Sequence, residues 1–176
     1  LAEFIERGVP GGWKRAVSEV ERFEFALRFE EELAAIQAAV SVTLPAGERQ
    51  LKATGRELSV ADLKVLNTAD VFELFRCSQF SAWGPATKDG QLIVGRNFDY
   101  PPILPRETCC ILAIQPAEKG LHATIDPLWF GLVGSGIACV RDDGLYLAPN
   151  SGGSSGGKIE VAHPTSGGLV LRQFAE

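Results

Sequence analysis

Methionine is absent from the 176 residues, histidine occurs only twice and cysteine only four times. With Leu1 in front, the missing methionine implies that the initiator lies upstream, together with any signal peptide. The compartment therefore stays open: a signal peptide before Leu1 would make the protein secreted or periplasmic. The chain also stops at Phe174-Ala175-Glu176, within what reads as a starting helix, so an incomplete chain is expected. The cysteines, Cys77, Cys109, Cys110 and Cys139, form no Cys-x-x-Cys pair and no histidine cluster at zinc-ligand spacing. No metal and no cofactor is expected. Four cysteines at this length are too sparse for a disulfide scaffold. Adjacent Cys109 and Cys110 on a strand would face opposite ways, which argues against their pairing.

Positive charge is in the minority, 17 Lys and Arg against 22 Asp and Glu, for a net charge of −5. That removes the electrostatic footprint of a nucleic-acid binder. No stretch approaches the roughly 20 apolar residues of a membrane-spanning helix. There is no internal repeat. What is present, 45% hydrophobic and 22% charged residues, is an ordinary globular composition and excludes a disordered chain. The length suits one domain, or one domain with an appendage.

The character of the sequence changes near residue 76. Before it, Trp13, Val17, Val20, Phe23, Leu27, Leu33, Ile36 and Val40 recur at helical spacing and predict one long amphipathic helix over 13–40. Residues 41–57 carry Pro45, Gly47 and Gly55 and read as a loop. Ser59 and Asp62 form a short capping box in front of a second helix, which resumes towards Phe75. From Cys77 the period becomes that of strands. Segment 77–83, the turn Thr87-Lys88-Asp89-Gly90 and segment 91–97 predict a hairpin. Two further pairs are predicted, 108–115 with 121–125 and 132–140 with 144–148. The last has its turn at Arg141-Asp142-Asp143-Gly144. Consecutive hairpins mean antiparallel sheet, so the fold class is α+β. Segment 151–158 reads as a glycine–serine loop, and 168–176 as the first turns of a helix.

One constellation carries chemistry. Cys77 heads a strand, and the hairpin returns the chain to Arg96 and Asp99, 19 and 22 residues later. In an antiparallel pair the end of the second strand lies beside the start of the first, so the three can meet. A guanidinium beside a cysteine favours the thiolate. A carboxylate orients an amine or the guanidinium through charge-assisted hydrogen bonds. The residue types alone are equally compatible with a surface Arg–Asp pair and a buried, inert cysteine.

The motifs Cys77-Ser78, Thr87-Lys88-Asp89-Gly90 and Gly95-Arg96-Asn97-Phe98-Asp99-Tyr100, in this order, resemble the amino-terminal-nucleophile (Ntn) hydrolases of the penicillin acyltransferase branch, related to choloylglycine hydrolases and acid ceramidase. Residues 58–67 resemble the helix that precedes the nucleophile there. Gly144-Leu145-Tyr146-Leu147-Ala148-Pro149-Asn150 resembles the segment carrying an oxyanion-hole asparagine. The likeness is strong over 77–100, fair over 58–76 and 129–150, and weak before 58. It implies a four-layer αββα sandwich, with two antiparallel sheets between helices. Residues 1–76 would be a helical prosegment or small subunit, and 77–176 the first part of the catalytic subunit.

The implied activity is that of a zymogen that cuts itself between Arg76 and Cys77. It would then hydrolyse or transfer acyl groups from a small-molecule amide or acyl thioester through a Cys77 acyl-enzyme. The implied site residues are Cys77 as nucleophile, Arg96 near the thiolate or substrate, Asp99 on the new α-amine and Asn150 on the oxyanion. Members of that family often carry Asn just before the Gly-Leu, where this chain has Arg141-Asp142-Asp143. Asn150 also fits a plain Pro-Asn-Ser-Gly turn. The other partner implied is the chain's own prosegment, and a homo-oligomer is compatible with the sequence. The alternative is a catalytically silent, unprocessed relative that serves as a binding module.

Other signals carry less. Gly152, Gly157 and Lys158 space like a phosphate-binding loop, but Ile159 replaces the Ser or Thr that would hold magnesium and Pro164 blocks the following helix. His122 and His163 are isolated and read as ordinary polar residues. Phe80, Trp83, Trp129 and Phe130 read as core residues, with an apolar acyl pocket as their other use.

Overall fold

A computed structural model describes residues 6–7, 11–51, 54–68, 76–99, 109–116, 118–129, 131–134, 137–150 and 165–176, with Arg76, Asp99 and Cys109 described by their backbone alone. The expected helix continuation towards Phe75, the 151–158 loop, Phe130 and His163 lie outside these residues. The elements run α1 (Gly12–Val20), α2 (Leu27–Thr43), α3 (Val60–Asn67), β1 (Arg76–Gly84), β2 (Gly90–Asp99), β3 (Cys109–Ile114), β4 (Thr124–Trp129), β5 (Cys139–Arg141), β6 (Tyr146–Leu147) and α4 (Gly167–Ala175). The chain is α+β with two antiparallel sheets, the hairpin β1–β2 and a four-stranded sheet in the order β3-β4-β5-β6.

The single helix expected over 13–40 is two helices. Trp13, Ala16 and Val20 of α1 pack on Val65 of α3, whereas Phe29 and Leu33 of α2 pack on Leu63 of the same short helix. The break at 21–26 lets both groups face α3, and Phe25 within it touches both clusters. The Arg22 and Phe23 N–H groups close α1 onto the Glu19 and Val20 carbonyls at 3.1 and 3.0 Å, a tightened last turn. Helix α2 then runs past the expected boundary to Thr43.

Helix α3 starts with a complete capping box. Ser59 Oγ accepts from the Asp62 N–H at 3.3 Å, and Asp62 Oδ2 accepts from the Ser59 N–H at 2.8 Å. The same buried carboxylate accepts from the Trp13 indole N–H at 2.8 Å and from both Nη atoms of Arg56 at 2.8 and 2.5 Å. One aspartate therefore ties α1, the 44–58 loop and α3 together. A buried indole needs such an acceptor for its N–H.

A second set of polar contacts joins the residues before Cys77 to those after it. Asn67, the last residue of α3, donates to the Gly131 carbonyl at 2.8 Å and accepts from the Val133 N–H at 2.7 Å. Arg172 of α4, 4% exposed, donates to Glu32 of α2 at 2.5 and 2.6 Å, to Glu176 at 2.8 Å and to the Val133 carbonyl at 2.7 Å. Burial pushes the Arg172 guanidinium down, but the Glu32 and Glu176 carboxylates outweigh it and hold it above its ordinary value. Around these contacts, Phe29, Leu33 and Leu63 pack on Val133 and Leu169. Gly134 is needed there, because a Cβ would come within 2.9 Å of the Gly168 backbone.

Several strand boundaries differ from expectation: β4 is shifted, β5 is much shorter, and β6 is confined to Tyr146–Leu147 rather than 144–148. Strand β4 runs Thr124–Trp129 rather than 121–125, because the backbone before it turns to the C-terminus while Ala123 closes the pairing with β5. The His122 N–H donates to the Glu176 carbonyl at 2.6 Å, and the Ala123 carbonyl accepts from the Asp142 N–H at 2.9 Å. Strand β5 occupies only the end of the expected 132–140, since Val133 and Gly134 turn to Asn67.

Replacing Asp62 tests this framework. Asp62→Ala removes the cap and leaves the Trp13 N–H buried without an acceptor, an expected loss of about 2–4 kcal/mol in chemical denaturation. Burial would raise the Asp62 carboxyl, but hydrogen bonds from Arg56, Ser59 and Trp13 hold it below its ordinary value. Its stabilisation is thus full above the unfolded value of about 3.9 and is lost as pH falls through the lower folded value. Asp62→Asn should flatten the stability–pH curve in that acidic window. An unchanged curve would show that the ionised carboxylate is not what the network requires.

Candidate active site

The hairpin turn uses the expected Asp-Gly signal, with Gly90 at φ 71°, a region that other residues adopt only with strain. The turn sets the register: Cys77 stands opposite Phe98, Gln79 opposite Arg96, and Arg76 opposite Asp99. Since side chains alternate along a strand, Cys77, Gln79, Arg96 and Phe98 share one face of the hairpin. Cys77 is a free, half-buried thiol, not a packed core residue. Asp99 pairs with Arg76, one register step from the Cys77–Phe98 pair, so its position belongs to the other face of the hairpin by the same alternation, and its carboxylate lies outside the described residues.

Phe98 and Arg96 fasten this end of the hairpin to the larger sheet and the segment that follows it. The Phe98 ring lies 5.3 Å from that of Trp129, tilted by 46°, within the attractive range for aromatic pairs. Arg96 reaches the segment after β6. Its Nη1 donates to Asn150 Oδ1 at 2.5 Å and to Gln79 Oε1 at 3.3 Å, and its Nη2 donates to the Pro149 carbonyl. The Arg96 guanidinium carbon also sits 5.9 Å from the centre of the Phe98 ring. Arg96 and Asn150, 54 residues apart, are thus joined directly on the face that carries Cys77.

The orientation of the Asn150 amide follows from chemistry. A guanidinium offers only donors, so the amide atom facing it must be the oxygen, and the NH₂ group faces away. Asn150 is exposed, leaving its N–H bonds accessible.

Gln79 is not among the site residues expected from the sequence, although period-two spacing from Cys77 and the strand register together place it on the same face. Expectations for two aromatic residues are corrected. Phe80 and Trp83 are 62% and 63% exposed, not core. Phe80 instead covers Gly95 across the hairpin, where a Cβ would meet its ring at 2.1 Å.

A second polar cluster was also missed. His122 Nδ1 is 2.7 Å from Asp142 Oδ1, and ligand atoms of His122, Asp142 and Asp143 lie within 4.8 Å of one another. Asp142 also accepts from the Ala123 N–H at 3.2 Å, and Asp143 accepts from Arg141 and from the Leu145 N–H. The His122 hydrogen bond holds the Asp142 carboxyl below its ordinary value, and Arg141 does the same, more strongly, for Asp143. Beside this cluster, a groove of about 220 Å³ is lined by Ile114, Ile125 and Val140. It lies at the Thr124 end of β4, five residues from Trp129, or roughly 16 Å at strand rise.

No family model, no curated protein and no solved structure matches the chain. Among the described residues, no helix is long and apolar enough to cross a membrane.

Thiol exposure gives a direct check on this arrangement. Iodoacetamide should alkylate half-buried Cys77 and Cys110 in the native protein, while Cys139, with no exposed surface, should react only after unfolding. Peptide mapping reads the order. Native labelling of Cys139 as fast as Cys77 contradicts it.

Proposed function

We propose that the chain is an autoprocessing cysteine Ntn hydrolase or acyltransferase of the penicillin acyltransferase branch, with a four-layer αββα sandwich as its complete architecture. The observation that carries this reading is the Arg96–Asn150 contact on the Cys77 face. Residues singled out in two separate stretches of sequence converge there, and the Asn150 N–H bonds are directed away from the guanidinium. The antiparallel pairing of both sheets and the half-buried thiol agree with it.

Processing begins when the Cys77 thiol attacks the Arg76 carbonyl. The acyl group moves from nitrogen to sulfur, and water hydrolyses the thioester, leaving a carboxylate on Arg76 and a free α-amine on Cys77. That amine has a reference pKa of about 7.7–8.0, suited to taking the proton of its own thiol. In turnover the thiolate attacks an amide or acyl-thioester carbonyl, and the developing oxyanion accepts from Asn150 Nδ2. Collapse expels the leaving group, which takes the proton held by the α-ammonium. Water releases the acyl group in a hydrolase, and an amine does so in a transferase. Arg96 acts as the positioning residue for Asn150, and Asp99 orients the α-amine.

The decisive test is mass spectrometry of the purified full-length protein. Cleavage between Arg76 and Cys77 is expected, and Cys77→Ala should abolish both cleavage and turnover. The two pieces should co-elute in gel filtration, because Phe29, Leu33 and Leu63 pack on Val133 and Leu169 across the cut. An intact bond in the wild-type protein points instead to the silent binding module. In the processed enzyme, Asn150→Ala should lower kcat by roughly 10²–10³-fold, the usual effect of losing one oxyanion donor. Asp99→Asn should slow turnover while leaving the fold standing.

A further inference from the structure

We infer that Gln79 is a second amide donor of this site, placed by Arg96 to hydrogen-bond the carbonyl oxygen of an acyl group attached to Cys77. The inference rests on the Cys77 nucleophile reading and adds a residue to it. Gln79 lies two residues along the strand from Cys77 and directly opposite Arg96, so all three occupy one sheet face. Its Oε1 accepts from Arg96 Nη1 at 3.3 Å, the same nitrogen that donates to Asn150 Oδ1 at 2.5 Å. The two amide oxygens are therefore less than about 6 Å apart, meeting at a single nitrogen.

The guanidinium accepts nothing, so each amide presents its oxygen to Arg96 and turns its NH₂ group outward. Gln79 is exposed, so its outward N–H bonds are open to a bound acyl group, two residues along the same sheet face from Cys77. One cation thus orients two neutral amides beside one nucleophile. In the proposed role both amides would donate to the one acyl oxygen, and two N–H donors on a single oxygen stabilise the charge of a tetrahedral intermediate. Both amides are uncharged, so they suit the oxygen of an amide or thioester carbonyl better than a permanently anionic group.

The test separates acylation of Cys77, which builds an oxyanion, from alkylation, which does not. Wild-type, Gln79→Ala, Gln79→Glu and Cys77→Ala proteins are treated with p-nitrophenyl acetate and, separately, with iodoacetamide. The modified residue is mapped by mass spectrometry. Glutamate keeps an acceptor for Arg96 but has no N–H to give. Both Gln79 variants should acylate at Cys77 at least about tenfold more slowly than wild type, with alkylation rates within about twofold. Gln79→Glu acylating at the wild-type rate overturns the donor role while leaving Cys77 as the nucleophile. Slowing of alkylation in step with acylation also overturns it, because the effect would then lie on the thiol. A wild-type Cys77 that is alkylated but never acylated overturns the nucleophile reading and the Gln79 role together.

Discussion

A guanidinium can only donate, and at Arg96 that restriction decides how the hairpin sits on the rest of the protein. A two-stranded sheet is marginal by itself. The outer half of this one leaves Trp83, Leu92 and Ile93 more than half exposed. Its fixed end is the Cys77 end, where Phe98 meets Trp129 and Arg96 reaches Pro149 and Asn150. Hydrogen bonds to a charged group contribute about 1.5–3 kcal/mol each and an aromatic pair about 0.5–1.5. For a half-exposed arginine the lower end applies. That is enough to hold one end of a hairpin and to give the amides around Arg96 a single orientation.

The helical half is organised by buried charge of both signs, Asp62 at one end of α3 and Arg172 across the other. Such groups are weak evidence for stability, since desolvation consumes much of the attraction. Their effect is geometric. Asp62 accepts from Trp13, Arg56 and Ser59 only when α1, the following loop and α3 are in one arrangement. Arg172 reaches Glu32, Glu176 and the Val133 carbonyl only when α4 lies against α2. A cut at residue 76 would sever connectivity and leave this packing in place.

Local signals were legible in the sequence and tertiary ones were not. The hairpin could be read because Asp89-Gly90 and the period-two pattern act within a few residues, and the Ser59–Asp62 cap for the same reason. The break between α1 and α2 could not. Apolar residues continue at helical spacing through Phe23 and Leu27, and only the position of α3 makes two helices better than one. The start of β4 was hidden similarly, since Glu176 claims the backbone N–H of His122 from a distance. Cys77 and Arg96 stand near each other by register alone, but nothing in residue spacing brings Asn150 to Arg96. The resemblance names Asn150 as a site residue, and the contact with Arg96 is visible only in the fold. Gln79 needed both the register and the knowledge that its partner cannot accept a hydrogen bond.

The same chemistry limits which groups can make such a site respond to pH. Arginine does not lose its proton in proteins, and carboxamides do not ionise in the working range. The Asn150 and Gln79 carboxamides therefore offer the same N–H donors throughout that range. Under the proposed mechanism, the remaining proton carriers are the Cys77 thiol, the α-amine created by processing and Asp99. An unprocessed chain lacks the α-amine, and its nitrogen is an amide that cannot act as a base. Cleavage would then change the proton chemistry of the site without moving the groups that receive the oxyanion.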